Sequence, residues 1–239
     1  MKIFTELSRN YSKKIRTKKN IKFIIIHYTG MQSEIESFKR LKDENSKVSS
    51  HYFINRKGKI TQMINDNNIA WHAGKSKWKN FKNLNENSIG IELVNKGHEF
   101  GYQKFTNLQI KSLIYLCKKL KKKYKIKTAN FLGHSDIAPL RKSDPGEKFP
   151  WEELSRHRLG IWQNFKRKFF YNEVNKKRLE ISFFKNLFKI GYRYFSIGKR
   201  CKTDKLIIKS FQQHYLPHNV TGKLDQKTAK IANFLSNKI

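Results

Sequence analysis

The sequence predicts an α/β domain with a mixed central sheet flanked by helices, followed by a small all-α domain of three helices. Two observations support this division. Up to about residue 165, short apolar runs rich in β-branched residues alternate with amphipathic helical segments, a pattern typical of layered α/β folds. From about residue 179 onward, three helical patterns follow one another and no strand pattern appears. We therefore predict domains at residues 1–165 and 175–239.

The first half opens with the segment KFIIIHYTG, residues 22–30. Its continuous apolar run, ended by a glycine, predicts a strand buried on both faces. The following segment, SEIESFKRLKDE, predicts a helix whose N-cap is Ser33. Its apolar face is expected to consist of Ile35, Phe38 and Leu41.

Two further strands, a hairpin and a long helix complete this half. HYFINRKGKITQMI predicts a hairpin that turns at Lys57-Gly58, and SIGIELVN predicts another strand. In TNLQIKSLIYLCKKLKKKY, Thr106 and Gln109 are placed for a capping box. The apolar stripe of this helix comprises Ile110, Leu113, Ile114, Cys117 and Leu120. NFLGHS predicts a short strand that leads into the loop GHSDIAPLRKSDPG, whose glycines and prolines disfavour a regular helix.

The C-terminal segment carries apolar residues at helical spacing. In DQKTAKIANFLSNKI they follow a predicted Asp225 cap, and LPHNVTGKL supplies turn residues before it. The repeating positions in the last two helices are Ile207, Phe211, Tyr215, Ile231 and Leu235. A module of roughly 60 residues buries too little surface to be stable alone, so we expect it to dock on the first domain.

Composition and charge indicate a folded protein and bear on its possible partners. The chain has 239 residues, of which 38% are hydrophobic and 13% aromatic, enough for a buried core. The formal net charge of +34 has two explanations, a polyanionic partner or a general preference for lysine over the whole surface. The lysines extend from end to end rather than forming one tail, which favours the second explanation. We therefore expect no nucleic-acid partner.

Cysteine usage and hydropathy argue against a disulfide-rich protein, a cysteine zinc site and a membrane-spanning protein. Cys117 and Cys201 are far apart and belong to no C-x-x-C pair, which argues against a disulfide framework or a cysteine zinc site. Cys117 is expected to be a small core residue. The sequence contains no signal-like apolar segment and no stretch long enough for a membrane span. Taken alone it predicts a cytoplasmic protein, with a periplasmic or cell-envelope location as the alternative.

Ionisable residues cluster at the ends of two predicted strands. His27 ends the FIII run and His134 follows NFLG, and α/β folds bind ligands at the carboxyl ends of strands. Asp144 precedes Pro145, which favours an extended chain in which Lys142 and Asp144 project together. Two histidines and one carboxylate suit a catalytic zinc site with one open position. The alternative for each histidine, taken singly, is an ordinary residue of the sheet rim.

The segment His134–Gly146, H-x-D-x-A-P-x-R-K-x-D-P-G, resembles the zinc loop of the type 2 N-acetylmuramoyl-L-alanine amidases, whose fold is shared with the peptidoglycan recognition proteins. The motifs FIIIHYTG, SSHYFINRKGKITQMI, AWHAG and NSIGIELVN occur in matching order over residues 20–160. Leu140 departs from the pattern, because a small residue is more usual there. The C-terminal segment resembles a three-helix peptidoglycan-binding module through GYRYF, IKSFQQHY and VTGKLDQKT.

The resemblance implies that His27, His134 and Asp144 hold one zinc ion per chain. It implies that Glu92 and Lys142 are the catalytic pair. Zinc lowers the pKa of a bound water to about 7, and a carboxylate such as Glu92 can accept the proton and later deliver it to the leaving amine. A lysine beside the metal can stabilise the oxyanion of the intermediate. The alternative for Glu92 is an ordinary salt bridge.

Other polar residues are candidates for substrate binding or for local structure. The family analogy makes His72 and Arg141 candidates for substrate binding, since arginine pairs with carboxylates such as those of a stem peptide. His51 is expected to order the hairpin, and Asp136 to accept hydrogen bonds from N–H groups of its own loop. The sequence suggests no partner for His98, His157, His214 or His218.

Together, the residues and the resemblance predict that the protein is a zinc-dependent amidase. It would cleave the amide between N-acetylmuramic or anhydro-muramic acid and the L-alanine of the stem peptide, in peptidoglycan or in muropeptides. The C-terminal module would hold glycan or stem peptide near the site. The alternatives are a non-catalytic recognition protein of the same fold and, on charge alone, a basic metal-dependent nuclease or nucleic-acid binder. The presence of both Glu92 and Lys142 favours catalysis.

Overall fold

The computed structural model describes residues 1–163 and 175–239. Its helices are α1 (Glu34–Lys42), α2 (Asn107–Tyr124), α3 (His134–Ile137), α4 (Trp151–Arg156), α5 (Lys176–Ile190), α6 (Asp204–Tyr215) and α7 (Gln226–Ser236). Its strands are β1 (Ile3–Thr5), β2 (Tyr11–Ile15), β3 (Phe23–Tyr28), β4 (Tyr52–Ile54), β5 (Ile60–Gln62), β6 (Asn68–Ala70), β7 (Lys77–Trp78), β8 (Phe81–Lys82), β9 (Ser88–Leu93) and β10 (Phe131–Gly133).

Six strands form the central sheet, in the order β1-β5-β4-β9-β3-β10. Within this sheet the β4–β5 hairpin is antiparallel and the other pairs are parallel. Two small ribbons, β2–β6 and β7–β8, lie outside it. The predicted fold, a mixed sheet flanked by helices, is confirmed.

The two faces of the sheet are covered by different helices. On β3, Ile24 and Ile26 belong to the hydrophobic core that contains the apolar stripe of α2. Phe23 and Ile25 point to the other face, where they share a core with residues of α5, α6 and α7 such as Phe211. Because side chains alternate along a strand, His27 lies on the face covered by the C-terminal helices.

The predicted caps and turns are largely confirmed. Thr106 and Gln109 form the capping box of α2, and all five residues of its predicted stripe are buried. The β4–β5 turn has Gly58 at a φ of +79°, a conformation that favours glycine. In α1, Ser33 accepts a hydrogen bond from the N–H of Glu36 as expected. The prediction for Ile35 is wrong, because this side chain is 67% exposed.

Two N-terminal strands were not predicted, because β1 has only three residues and β2 carries consecutive lysines. A buried arginine, rather than an apolar pattern, fixes this segment. The guanidinium of Arg16 donates to the carbonyl oxygens of Asp66, Asn85 and Ser88 at 2.5–3.1 Å. Such contacts join residues far apart in sequence and have no local signature.

The loop after β10 contains α3, a single helical turn, although its composition disfavours a helix. Asp136 stabilises this turn by accepting a hydrogen bond from the N–H of Gly133 at 2.7 Å, which is the local role predicted for it. The C-terminal region forms three helices, and Asp225 caps α7. The predicted domain boundary, between residues 165 and 175, falls within 164–174, outside the described residues.

The burial of Cys117 and the lengths of the described helices test two further predictions from the sequence. Cys117 is buried in α2 and is the small core residue that was expected. None of the described helices combines the length and the apolar composition needed to cross a bilayer.

Asp66 is a buried carboxylate whose contribution to the stability of the fold can be measured. Asp66 accepts hydrogen bonds from Tyr52 at 2.7 Å, Tyr124 at 2.6 Å and Lys123 at 2.8 Å. Burial alone would raise the pKa of Asp66, but these three donors hold it below the ordinary value. A carboxyl whose pKa is lower in the folded state stabilises the fold above its unfolded pKa of about 4, and this contribution disappears as the pH falls through the folded pKa.

We therefore expect Asp66→Asn to lower the free energy of unfolding by about 2 kcal/mol near neutral pH, because charge-assisted hydrogen bonds are lost. Between neutral pH and about pH 3 the variant should lose less stability than the wild type. Urea unfolding at both pH values measures the difference, with Glu99→Gln, at an exposed position, as the control. Equal acid sensitivity of Asp66→Asn and the wild type would contradict this role.

Candidate active site

The three predicted ligand residues meet at the carboxyl ends of β3 and β10. The Nδ1 atom of His27 lies 3.0 Å from Nδ1 of His134 and 2.9 Å from Oδ2 of Asp144. The Nδ1 atom of His134 lies 3.1 Å from the same carboxylate oxygen. All three side chains are buried. His27 lies more than a hundred positions before His134 and Asp144 in the sequence, yet the three side chains present their donor atoms to one point.

This donor set fits a zinc ion. Two imidazole nitrogens and one carboxylate oxygen are typical of catalytic zinc sites, which keep a further position open. Four tetrahedral ligands at about 2.0 Å from zinc would be about 3.3 Å from one another. The observed separations of 2.9–3.1 Å are close to that spacing.

The ionisation of these groups also suits metal binding. Burial, with the neighbouring His134 as a second cause, lowers the pKa of His27 to about 4, so its ring is neutral at pH 7. Burial alone would raise the pKa of Asp144, but the two histidines hold it well below its usual range. A neutral imidazole and an ionised carboxylate are the forms that bind metals.

A chain of hydrogen bonds fixes the ring of His27. Its Nε2 lies 3.0 Å from Nδ1 of His72, whose Nε2 lies 3.2 Å from the hydroxyl of Ser88. Ser88 donates to the carbonyl of Leu84 at 2.6 Å, so its oxygen accepts from His72. This assignment makes His72 Nδ1 the acceptor for the N–H of His27. The lone pair at His27 Nδ1 then points at the ligand cluster.

His72 was predicted to bind substrate, and the structure places it behind His27 as the partner of that ring. Arg141, the other candidate for substrate, donates to the carbonyl oxygens of Ala73 and, at 3.1 Å, Lys75. Its guanidinium also lies 3.2 Å from Nε2 of His134. Both residues thus contact a ligand histidine, and their roles toward substrate stay predictions.

Glu92 is the residue of β9 that pairs with His27 of β3. Paired residues of neighbouring parallel strands project to the same face, so its carboxyl lies beside the ligand cluster. The side chain is buried, and among residues 1–163 and 175–239 its Oε2 has no hydrogen-bond partner. Within that part of the chain it forms no salt bridge, which argues against the alternative of an ordinary ion pair. Burial and the charge of Asp144 raise the pKa of Glu92 to about 8.

Lys142 lies two residues before Asp144 in the loop that follows β10. Its side chain is exposed whereas that of Asp144 is buried, and the predicted common direction of the two side chains stays a prediction. The N–H groups of Arg141 and Lys142 both donate to the carbonyl of Ala138 at 3.1 Å, which makes a turn there. The positive charge of Lys142 nevertheless acts on both Glu92 and His27 and lowers the pKa of each.

Comparison with known proteins explains this geometry. The family model described as N-acetylmuramoyl-L-alanine amidase, Amidase_2, matches residues 17–147. The chain belongs to this amidase family. All the predicted ligand and catalytic residues of the amidase lie inside the matched segment.

Two kinds of relative extend the comparison. The N-acetylmuramoyl-L-alanine amidase AmiD of Escherichia coli K12 is 35% identical over 233 residues, covering 91% of this chain and 83% of AmiD. The 1,6-anhydro-N-acetylmuramyl-L-alanine amidase AmpD of Haemophilus influenzae is 44% identical over 107 residues, covering 44% of this chain and 56% of AmpD. Both names favour an enzyme over the alternative of a non-catalytic recognition protein.

Solved structures agree with the fold. AmiD in complex with anhydro-N-acetylmuramic acid-L-Ala-D-gamma-Glu-L-Lys superimposes with a TM-score of 0.80 at 32% identity, covering 96% of this chain and 93% of that chain. AmpDh3 from Pseudomonas aeruginosa in complex with anhydromuramic pentapeptide gives 0.78 at 29% identity, covering 96% of each chain. A match of 96% includes most of the C-terminal helices, whose predicted peptidoglycan-binding role stays a prediction.

Several polar residues near the site were not assigned from the sequence. His214 of α6 lies 2.7 Å from Oδ2 of Asp136, and His98 lies 3.0 Å from a carboxylate oxygen of Glu147. The only sequence signal for His214 was its place near the apolar stripe of an amphipathic helix, which does not reveal a partner. The side chain of His51 accepts a hydrogen bond from the N–H of Gly90 in β9 at 3.0 Å, and its predicted role in ordering the hairpin stays a prediction.

Gly90 of β9 gives a test of the packing behind the ligands of the amidase. A Cβ atom at this position would lie 2.4 Å from Cγ of His72, so the ring that orients His27 would have to move. We expect Gly90→Ala to lower the free energy of unfolding by about 1–3 kcal/mol, the usual cost of an added methyl group in a packed core. Urea denaturation measures it.

Gly198→Ala is the matched control, because a Cβ atom there meets nothing within 4 Å. The control should stay within about 0.5 kcal/mol of the wild type. Equal stabilities for the Gly90 and Gly198 variants would show that the approach of His72 to β9 does not constrain the fold.

Proposed function

We propose that this amidase uses one zinc ion to hydrolyse the amide between N-acetylmuramic or anhydro-muramic acid and the L-alanine of the stem peptide. The observation that carries the proposal is the convergence of His27, His134 and Asp144 beside the buried carboxyl of Glu92. A bound zinc ion would activate a water molecule for attack and polarise the substrate carbonyl. The remaining steps are assigned to side chains of the chain itself.

Glu92 is proposed as the general base and then the general acid. Its carboxylate accepts the proton of the attacking water while the water oxygen bonds to the lactyl carbonyl carbon. It then gives this proton to the nitrogen of L-alanine as the C–N bond breaks. A pKa raised by burial suits a group that must both take and release a proton near neutral pH, and its unpartnered Oε2 leaves an acceptor free for the water.

Lys142 is proposed to stabilise the negative charge that develops on the carbonyl oxygen. Its charge already acts on Glu92 and His27, so it is within electrostatic reach of the reacting atoms. Arg141 and His72 contact the ligand histidines. We propose that they hold these rings and that the unused donors of Arg141 bind a carboxylate of the stem peptide.

Substrate size and domain organisation complete the proposal. The substrate-bound relatives contain anhydro-muramyl peptides, which supports small soluble muropeptides as substrates. We also retain the two-domain division, with the helical domain 175–239 holding peptidoglycan or muropeptide near the site. The resemblance of its turn and helices to a peptidoglycan-binding module supports that role.

Substitutions at Glu92 and His134 separate catalysis from metal binding. We expect Glu92→Gln to keep its zinc and to lose at least about 100-fold in kcat, because proton transfer by a positioned carboxylate contributes about 100-fold or more. His134→Ala should lose both zinc and activity. Zinc content by atomic absorption and peptide release by mass spectrometry are the measurements.

Glu152→Gln serves as the control for removal of one carboxylate, since Glu152 pairs only with Arg156 on the surface of α4 among the described residues. It should retain full activity. If Glu92→Gln cleaved muropeptides at the wild-type rate, Glu92 would not be the proton-transfer group.

Incubation with purified sacculi and with soluble anhydro-muropeptides, each with and without a chelator, tests the reaction and the preferred substrate together. We expect release of peptides with a free L-alanine amino group, abolished by the chelator and restored by zinc. Faster cleavage of the soluble substrate would support the muropeptide assignment. Binding of sacculi without any released peptide would instead indicate the non-catalytic recognition protein.

A further inference from the structure

The loop that carries His134 is attached to the C-terminal helices through a buried carboxylate. Asp136 lies two residues after His134 and is 1% exposed. Its Oδ1 accepts a hydrogen bond from the hydroxyl of Tyr192, which follows α5, and its Oδ2 lies 2.7 Å from Nδ1 of His214 in α6. The same Oδ2 accepts from the N–H of Gly133. Asp136 thus joins the first turn after β10 to two elements of the C-terminal region.

A second contact holds the residue between the ligand and this carboxylate. Ser210 of α6 donates from its hydroxyl to the carbonyl of Ser135 at 2.8 Å. The N–H of Ser135 in turn donates to the backbone carbonyl of Asp144 at 2.9 Å. The turn that presents His134 is therefore hydrogen-bonded to α6 on one side and to the backbone of Asp144 on the other.

The orientation of His214 is strongly constrained. Its ring stacks between Trp151, at a centroid distance of 3.9 Å and 15°, and Tyr215, at 4.0 Å and 11°. It is 2% exposed, and within the described part of the chain its Nε2 has no hydrogen-bond partner. An unpaired buried polar atom costs free energy, so an apolar ring would pack better at this position. The contact from Nδ1 to Asp136 is the feature that a histidine adds.

We propose that His214 is a positioning residue for the metal site: by fixing Asp136 it holds the turn that presents His134 to the zinc ion. The proposal rests on the zinc site of the proposed function. It gives the C-terminal helices a role inside the active site, separate from any binding of peptidoglycan. Removal of a partner that orients a metal ligand typically costs about 10–100-fold in metal affinity or in activity.

Three variants of α6 test the proposal in the full-length chain. His214→Phe keeps an aromatic ring between Trp151 and Tyr215 but removes the donor. His214→Asn keeps an N–H group near the position of Nδ1. Gln212→Met is the matched control, because Gln212 is buried in the same helix but its amide bonds Thr221, Gly222, Lys223 and Thr228 of the C-terminal region.

The measurements are the zinc dissociation constant, by competition with a chelator, and kcat and KM at saturating zinc. Near-ultraviolet circular dichroism verifies that each variant is folded. We expect His214→Phe to bind zinc about 10–100-fold more weakly, with kcat largely recovered and KM unchanged once zinc is saturating. His214→Asn and Gln212→Met should bind zinc like the wild type.

The proposal is overturned if folded His214→Phe binds zinc as tightly as the wild type. It is also overturned if His214→Asn binds as weakly as His214→Phe, or if Gln212→Met weakens binding equally, because the effect would then not depend on the donor. Should His214→Phe fail to fold, Tyr192→Phe removes only the hydroxyl on the other oxygen of Asp136, and unchanged zinc affinity there overturns the proposal. A wild-type chain that binds no zinc would refute the metal site itself, which distinguishes the two failures.

Discussion

Parallel pairing of β3 with its two neighbours is the constraint on which the rest of the site depends. The register sets Glu92 of β9 beside His27 and Gly133 of β10 beside Ile26, so the chain leaves β10 level with His27. A slip of one residue in either pair would turn its side chains to the opposite face of the sheet. The alternation in SIGIEL opposes that slip, because Ile89, Ile91 and Leu93 all belong to the core on the α2 side, whereas Ser88, Gly90 and Glu92 alternate with them.

Two buried carboxylates near one another are held in opposite states by their surroundings. Asp144 lies within hydrogen-bonding distance of two imidazoles, which keep it ionised, whereas Glu92 has burial and the charge of Asp144 acting against ionisation. The same residue chemistry therefore suits a metal ligand in one place and a proton carrier in the other. Pairs of acids whose environments separate their pKa values commonly mark acid and base roles in hydrolases.

The sequence predicted those parts of the fold that local pattern determines. The long helix, its capping box and the central strands followed from apolar spacing, and the family motifs indicated which ligands would meet. The strands β1 and β2 did not follow, because β1 is held by its pairing with β5 and the buried guanidinium of Arg16, next to β2, bonds residues 50–72 positions away. His214 was missed for the same reason, since its partner Asp136 is 78 positions distant. The turn closed by the N–H groups of Arg141 and Lys142 on the carbonyl of Ala138 did not follow either, because it depends on backbone hydrogen bonds that the sequence does not reveal.

Polar contacts, more than apolar packing, position the loop of this site. The strands rest on two hydrophobic cores, but the loop between β10 and α4 is held by Asp136, Arg141 and the backbone of Ser135. Hydrogen bonds are directional, so they fix the orientation of a ring or a turn, which non-directional burial cannot do. A catalytic metal requires its ligands within a few tenths of an ångström of their bonding positions. Such precision explains why a chain with so much exposed lysine nevertheless buries histidines and aspartates around one point.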